Sequence, residues 1–144
     1  SKPPARFEGG LGNYAGILGT SAAIDYISEI DLDKVNEHEV SLNKVMTSII
    51  KDVDGIEIIG PQDPALRGGI CSLLFDTIDA HDIAILLDEA ADVMVRSGMH
   101  CVHSWFNDKG IDQSSLRASA YLYNTESEVR LFAETLVEAV EALG

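Results

Sequence analysis

Between positions 116 and 122 every second residue is apolar. Leu116, Ala118, Ala120 and Leu122 alternate with Arg117, Ser119 and Tyr121. Side chains along a β-strand point to opposite faces with a period of two. This segment therefore belongs to a sheet with an apolar face and a polar one. If helices cover the apolar face, Arg117 stands on the open face.

The rest of the chain supplies those helices. One is expected from Tyr14 to Glu29, N-capped by Asn13 and rich in small residues. A second follows Asp31 and aligns Val35, Leu42, Met46, Ile49, Ile50 and Val53 on one face. A third follows Asp79, with Ile83, Leu86, Leu87 and Ala90 at helical spacing. A fourth opens on the capping box Thr125-Glu126-Ser127-Glu128 and buries Val129, Phe132, Ala133, Leu136, Val140 and Leu143. Other strands are expected at Ile56–Ile59, Gly69–Phe75 and Val93–Arg96. The order α, α, β, β, α, β, β, α lacks the βαβ alternation of a doubly wound fold. It specifies an α+β fold, a small mostly antiparallel sheet with helices packed on one face.

Composition limits the partners. The chain has 144 residues, 46% of them hydrophobic, enough for a real core. Its 24 acidic and 10 basic residues give a net charge of -14. Such a surface argues against nucleic acid and against anionic membranes. The aliphatic run Ile83–Leu87 is far too short to span a bilayer. The residues Ser1 to Arg6 hold no apolar signal core. Two cysteines, Cys71 and Cys101, make no disulfide framework, so a reducing, cytoplasmic setting is the expectation.

The window from Val93 to Arg117 holds three basic residues and two acidic ones, against the trend of the chain. Arg96 closes the expected strand, Ser97-Gly98 lets the chain turn, and Cys101 follows on a loop between His100 and His103. Cys101 has two readings. It is a small half-buried hydrophobe, or a thiol whose positive neighbours favour the nucleophilic thiolate. Cys71 alternates with Leu73 and Phe75 and reads as core. Arg117 is either a solvated cation or a bidentate clamp for a carboxylate. A metal site is not expected, because His100, Cys101 and His103 crowd into four residues without a second ligand cluster. Residues 1–13, with Pro3, Pro4, Gly9, Gly10 and Gly12, read as an extended arm.

These motifs together resemble a family. Arg6-Phe7-Glu8-Gly9-Gly10 with Asn13, Gly60-Pro61, the loop Val95-Arg96-Ser97-Gly98-Met99-His100-Cys101, and Arg117-Ala118-Ser119 with Tyr123-Asn124-Thr125 resemble the C-terminal part of a pyridoxal-phosphate (PLP) dependent cysteine desulfurase. Within the class V aminotransferase group the short cysteine loop is similar to the Suf-type branch. The resemblance implies the small domain of a fold-type I PLP enzyme, with residues 1–13 as an arm, 14–30 as a connecting helix and 31–144 as the small domain. It implies that Cys101 takes sulfur from L-cysteine as a persulfide, leaving alanine, and passes it to an acceptor protein for iron–sulfur clusters or other products. Arg117, Arg96 and Asn13 would bind substrate, while His100 and His103 are candidate proton carriers. PLP would serve as electron sink in the full-length homodimer.

Two departures stand out. Leu11-Gly12 replace the family's Thr-Pro, leaving only the backbone amides of Gly10 and Gly12 to approach the cofactor phosphate. Met99 stands where many relatives have a further His. No lysine has the family's Ser-x-His-Lys context, so the PLP-binding large domain is expected to be absent and the isolated chain inactive without covalent PLP. The alternative is a stand-alone persulfide carrier or interaction module working with a separate large-domain chain.

Overall fold

A computed structural model describes residues 2–144. Ser1, at the head of the expected arm, lies outside the described residues. The chain divides into two compact units, Ser1–Lys34 and Val35–Gly144.

In the first unit the arm is not extended throughout, because Ala5–Phe7 forms one 3-10 turn. Helix α1 spans Tyr14–Glu29 and starts at the expected cap. The Gly16 N–H donates to Asn13 Oδ1 at 3.0 Å, satisfying an amide that the first helical turn leaves free. No residue of α1 is buried, although Tyr14, Ile17, Leu18 and Ile24 are large and apolar.

The second unit holds the core. Helix α2 (Leu32–Ile50) leads into β1 (Ile56–Ile58) and β2 (Ile70–Phe75). Helix α3 (Ala80–Ala91), β3 (Arg96–Gly98), α4 (His103–Lys109), β4 (Ser115–Ser119) and α5 (Glu126–Leu143) follow. The four strands form one sheet in the order β1-β2-β4-β3, every pair antiparallel. One cluster gathers Leu42, Met46 and Ile50 of α2, Ile83 and Leu87 of α3, and Phe132, Ala133 and Leu136 of α5. They lie with Ile58, Cys71, Leu73, Phe75, Leu116 and Ala118, the alternate residues of the strands. The sheet is thus covered on one face by three helices, as the period-two pattern requires.

Four local features differ from expectation. Val93–Val95 is not strand; pairing begins at Arg96. The reason lies in α3, whose C-terminus ends on Asp92 in the left-handed conformation (φ 53°). The Val93 N–H donates to Leu87 O at 3.2 Å, so this amide serves the helix end rather than a ladder. Val93 and Val95 still pack on the core without pairing. The strand at the other end of the window stops at Ser119, because the Tyr121 N–H turns to Asn124 Oδ1 at 2.9 Å. Leu143 remains 47% exposed and does not join the core. The fourth difference is α4, a helix outside the expected set. Gly110, left-handed at φ 67°, ends it.

Two contacts fix the frame. Gly69 approaches the β4 end so closely that a Cβ there would stand 2.0 Å from the Ala120 carbonyl oxygen. Only glycine fits. At the start of α5 the expected capping box is complete, with the Glu128 N–H donating to Thr125 Oγ1 at 3.3 Å and the Thr125 N–H to the Glu128 carboxylate at 2.7 Å. The latter bond holds the Glu128 carboxyl below the usual range.

Leu73→Ala, which empties a fully buried site in the central sheet, should cost about 2–5 kcal/mol in urea denaturation. Thr125→Ala, at an exposed cap, should cost about 1 kcal/mol.

Candidate functional site

The register of β4 builds the open face. Ser72 of β2 stands opposite Arg117, and Arg117 stands opposite Arg96 of β3. Directly opposed like charges on neighbouring strands repel. Neither arginine joins an ion pair among the described residues. Arg117 is half-buried, and its Nε is buried without a hydrogen-bond partner. A guanidinium edge left unsatisfied costs free energy until an anion arrives. The expected open-face position of Arg117 is therefore what the structure shows, with Arg96 opposite it, opening β3 rather than closing the expected strand.

Beyond β3 the chain turns sharply. Gly98 (φ 121°), His100 (φ 48°) and Cys101 (φ 63°) all have positive φ. Two successive non-glycine residues in this region carry strain of about 1–3 kcal/mol each. The Val102 N–H closes the turn on Met99 O at 2.9 Å. Cys101 is exposed at its tip, so the half-buried reading does not hold. Cys71 is its opposite, fully buried between strands. Burial pushes the Cys71 thiol up to about 11, although the Arg67 guanidinium, 4.0 Å from Sγ, pulls the other way.

His100 leans back toward the sheet. Its Nε2 lies 3.1 Å from Ser115 Oγ. Burial first, then the charge of Arg117 and last that of Arg96, hold His100 protonation below its ordinary range, against a hydrogen bond to the Ser115 backbone. His100, Ser115, Arg117, Ser72, Trp105 and Phe106 line a hollow of about 280 Å³. Phe106, the one buried residue of α4, lies outside the main core cluster and walls this open-face hollow.

The expected residues fall into three groups. Arg96, Arg117 and His100 come together. Cys101 and His103 share the turn and the start of α4 but do not line the hollow. Asn13, Gly10 and Gly12 belong to the first unit, where the Asn13 side chain caps α1. Ser72, Ser115, Trp105 and Phe106 were not foreseen. Ser115 alone had a signal, lying two residues before Arg117 and so on the same face. No three His, Cys, Asp or Glu side chains are grouped for a metal among the described residues.

Comparison with known proteins agrees with the resemblance read from the sequence. The model of the aminotransferase class-V family matches residues 1–132. A probable cysteine desulfurase of Methanothermobacter thermautotrophicus is 37% identical over 137 residues, covering 94% of this chain and 34% of that protein. The cysteine desulfurase of Haloferax volcanii is 36% identical over 139 residues, 96% of this chain and 31% of that protein. The apo structure of cysteine desulfurase from Thermococcus onnurineus NA1 superposes with a TM-score of 0.86 at 33% identity, covering 99% of this chain and 35% of that one. The chain thus spans about a third of the length of these relatives.

In the folded chain a limiting alkylating agent should modify Cys101 alone, with Cys71 labelled only after denaturation, as read by peptide mass spectrometry. NMR titration should find His100 protonating below its ordinary 6.5, and Arg117→Ala should raise it by removing a nearby cation. The unfolded chain then binds this proton first. The contribution to stability is full above the ordinary value and lost as pH falls toward the depressed one.

Proposed function

The chain belongs to the aminotransferase class-V family, and we propose that it forms the sulfur-accepting part of a cysteine desulfurase. The observation that carries this reading is the exposed Cys101 on a strained turn beside two opposed arginines, one with an orphaned Nε. A thiol so displayed can reach a sulfur atom, and the arginines can hold the carboxylate of the molecule that brings it.

L-Cysteine and the Cys101 thiol would give L-alanine and a Cys101 persulfide. The carbon–sulfur bond of the substrate breaks and a sulfur–sulfur bond forms on Cys101. Arg117 receives the carboxylate on its free edge, and Arg96 orients it from the opposite strand. His100 and His103 are the proton carriers on either side of the thiol. The exposed turn then presents the persulfide to an acceptor protein, for iron–sulfur cluster assembly in the cytoplasm. No helix among the described residues is long and apolar enough to cross a membrane. The short turn between β3 and α4 supports the Suf-type branch.

The residues around the hollow do not fit covalent attachment of PLP. None of Lys44, Lys51 or Lys109, the lysines of the second unit, lines it, and Lys51 and Lys109 sit exposed beside Asp52 and Asp108. The proposal therefore assigns PLP to a large domain outside this chain. It assigns residues 1–13, with Asn13 and the amides of Gly10 and Gly12, to an arm that reaches the active site of a dimer partner. Residues 14–30 connect, and 31–144 form the small domain.

The test is a chimera in which this chain replaces the matching third of the Thermococcus onnurineus enzyme. It should form alanine and a Cys101 persulfide, and Cys101→Ser should abolish the persulfide. Arg117→Ala should raise KM for cysteine about 10- to 100-fold, the worth of a charged hydrogen bond. Undiminished persulfide in Cys101→Ser would overturn the proposal. The chain alone, given PLP, should show no aldimine band in its visible spectrum.

A further inference from the structure

Ser115 is completely buried, yet it points away from the hydrophobic core. It alternates with the core residue Leu116 in β4 and lines the open-face hollow instead. A buried hydroxyl needs partners, and Ser115 has two. Its Oγ donates to Gly98 O at 3.1 Å, and it lies 3.1 Å from His100 Nε2.

A hydroxyl has a single proton to give. The Gly98 carbonyl can only accept, so that proton is committed. Toward His100 the Ser115 oxygen can then only accept, and His100 Nε2 must carry hydrogen. A neutral imidazole holds one proton on its two nitrogens, so Nδ1 is bare. The arrangement also survives protonation. An imidazolium formed at Nδ1 keeps its Nε2–H on Ser115, and no bond has to be exchanged. The opposite tautomer would take the hydroxyl away from Gly98.

The same two bonds hold the turn. Gly98 pairs with Ser115 across β3 and β4, and His100 lies two residues further along. Ser115 is thus tied to both ends of the segment that leads into Cys101. His100 and Cys101 both keep a left-handed backbone, a conformation that surrounding bonds must impose. The charged groups facing the imidazole are Arg96 from β3 and Arg117 from β4. The hollow's lining from β2 and α4 is uncharged, namely Ile70, Ser72, Trp105 and Phe106.

We propose that Ser115 is a positioning residue for sulfur transfer, which fixes His100 as the Nε2–H tautomer and leaves Nδ1 as the atom that takes or gives a proton. This rests on Cys101 being the sulfur acceptor. The tautomer itself can be read without any sulfur chemistry, so the two ideas can fail separately.

The experiment is two-bond proton–nitrogen correlation NMR on the 15N-histidine-labelled chain, with His100 assigned by His100→Gln. In the wild type the Nε2–H form should dominate, by roughly fivefold to tenfold, the range that one net hydrogen bond supplies. Ser115→Ala should shift the balance toward a mixture, and Ser115→Thr, which keeps the hydroxyl, should restore it. A dominant Nδ1–H form in the wild type would overturn the proposal, and this readout stands even if Ser115→Ala fails to fold. So would an unchanged tautomer in folded Ser115→Ala. In the chimera, Ser115→Ala should lower kcat about tenfold and displace the acid limb of its pH profile while KM holds. A change in KM alone would mean that Ser115 serves substrate binding instead. Should the chimera form no persulfide while the tautomer pattern holds, the sulfur-accepting reading fails and the assignment of His100 stands.

Discussion

The register of β4 governs this molecule. The strand is hydrogen-bonded on both sides, to β2 and to β3. Its alternation sends Leu116 and Ala118 into the helix-covered core and leaves Ser115 and Arg117 on the other face. A slip of one residue would exchange these sets, burying a guanidinium among leucines and exposing the core. The apolar contacts that stabilise the fold therefore also place the polar groups of the site. The strand part of the site is the reverse side of the core.

What the core cannot supply is charge balance. The chain as a whole is strongly acidic, yet Arg96 and Arg117 oppose each other and neither forms an ion pair among the described residues. Placing two cations in register disfavours the sheet by some tenths of a kcal/mol to about 1 kcal/mol. The turn that follows adds the strain of two left-handed residues. Both costs fall within one short stretch, while the capping box, the Gly69 contact and the three-helix core lie elsewhere and are locally consistent. Local rules are broken where a ligand would restore them.

This division explains what could be read in advance. Helix α1 matched its expected span, and α5 began at its capping box, because the signals lie in neighbouring residues. Arg117 was placed correctly by period two alone. The β3 span was displaced because Val93 and Val95 are apolar for the sake of burial, while the Val93 amide is diverted to end α3. Burial and pairing usually coincide in a strand, and here they separate. Helix α4 is too short for a periodic stripe, and its one clear signal, Gly110, looks like any turn glycine. The bond between His100 and Ser115 spans fifteen residues and depends on the left-handed turn. No local pattern encodes that turn, since Cys does not announce a left-handed backbone and the enrichment of His there is too weak to single out His100.

The two arginines and His100 are electrostatically one system. Burial does most to disfavour protonation of the imidazole, and the guanidinium of Arg117, then that of Arg96, adds to it. A carboxylate seated on the free edge of Arg117 would cancel part of that field and raise the proton affinity of His100. Linkage makes the effect reciprocal: a protonated His100 would in turn hold a carboxylate more tightly. The opposed arginines thereby acquire a second role. In the proposed function they would bind the carboxylate and, while it is absent, add to the burial that disfavours protonation of His100. The fixed Nε2–H bond to Ser115 leaves a single nitrogen through which this coupling can act.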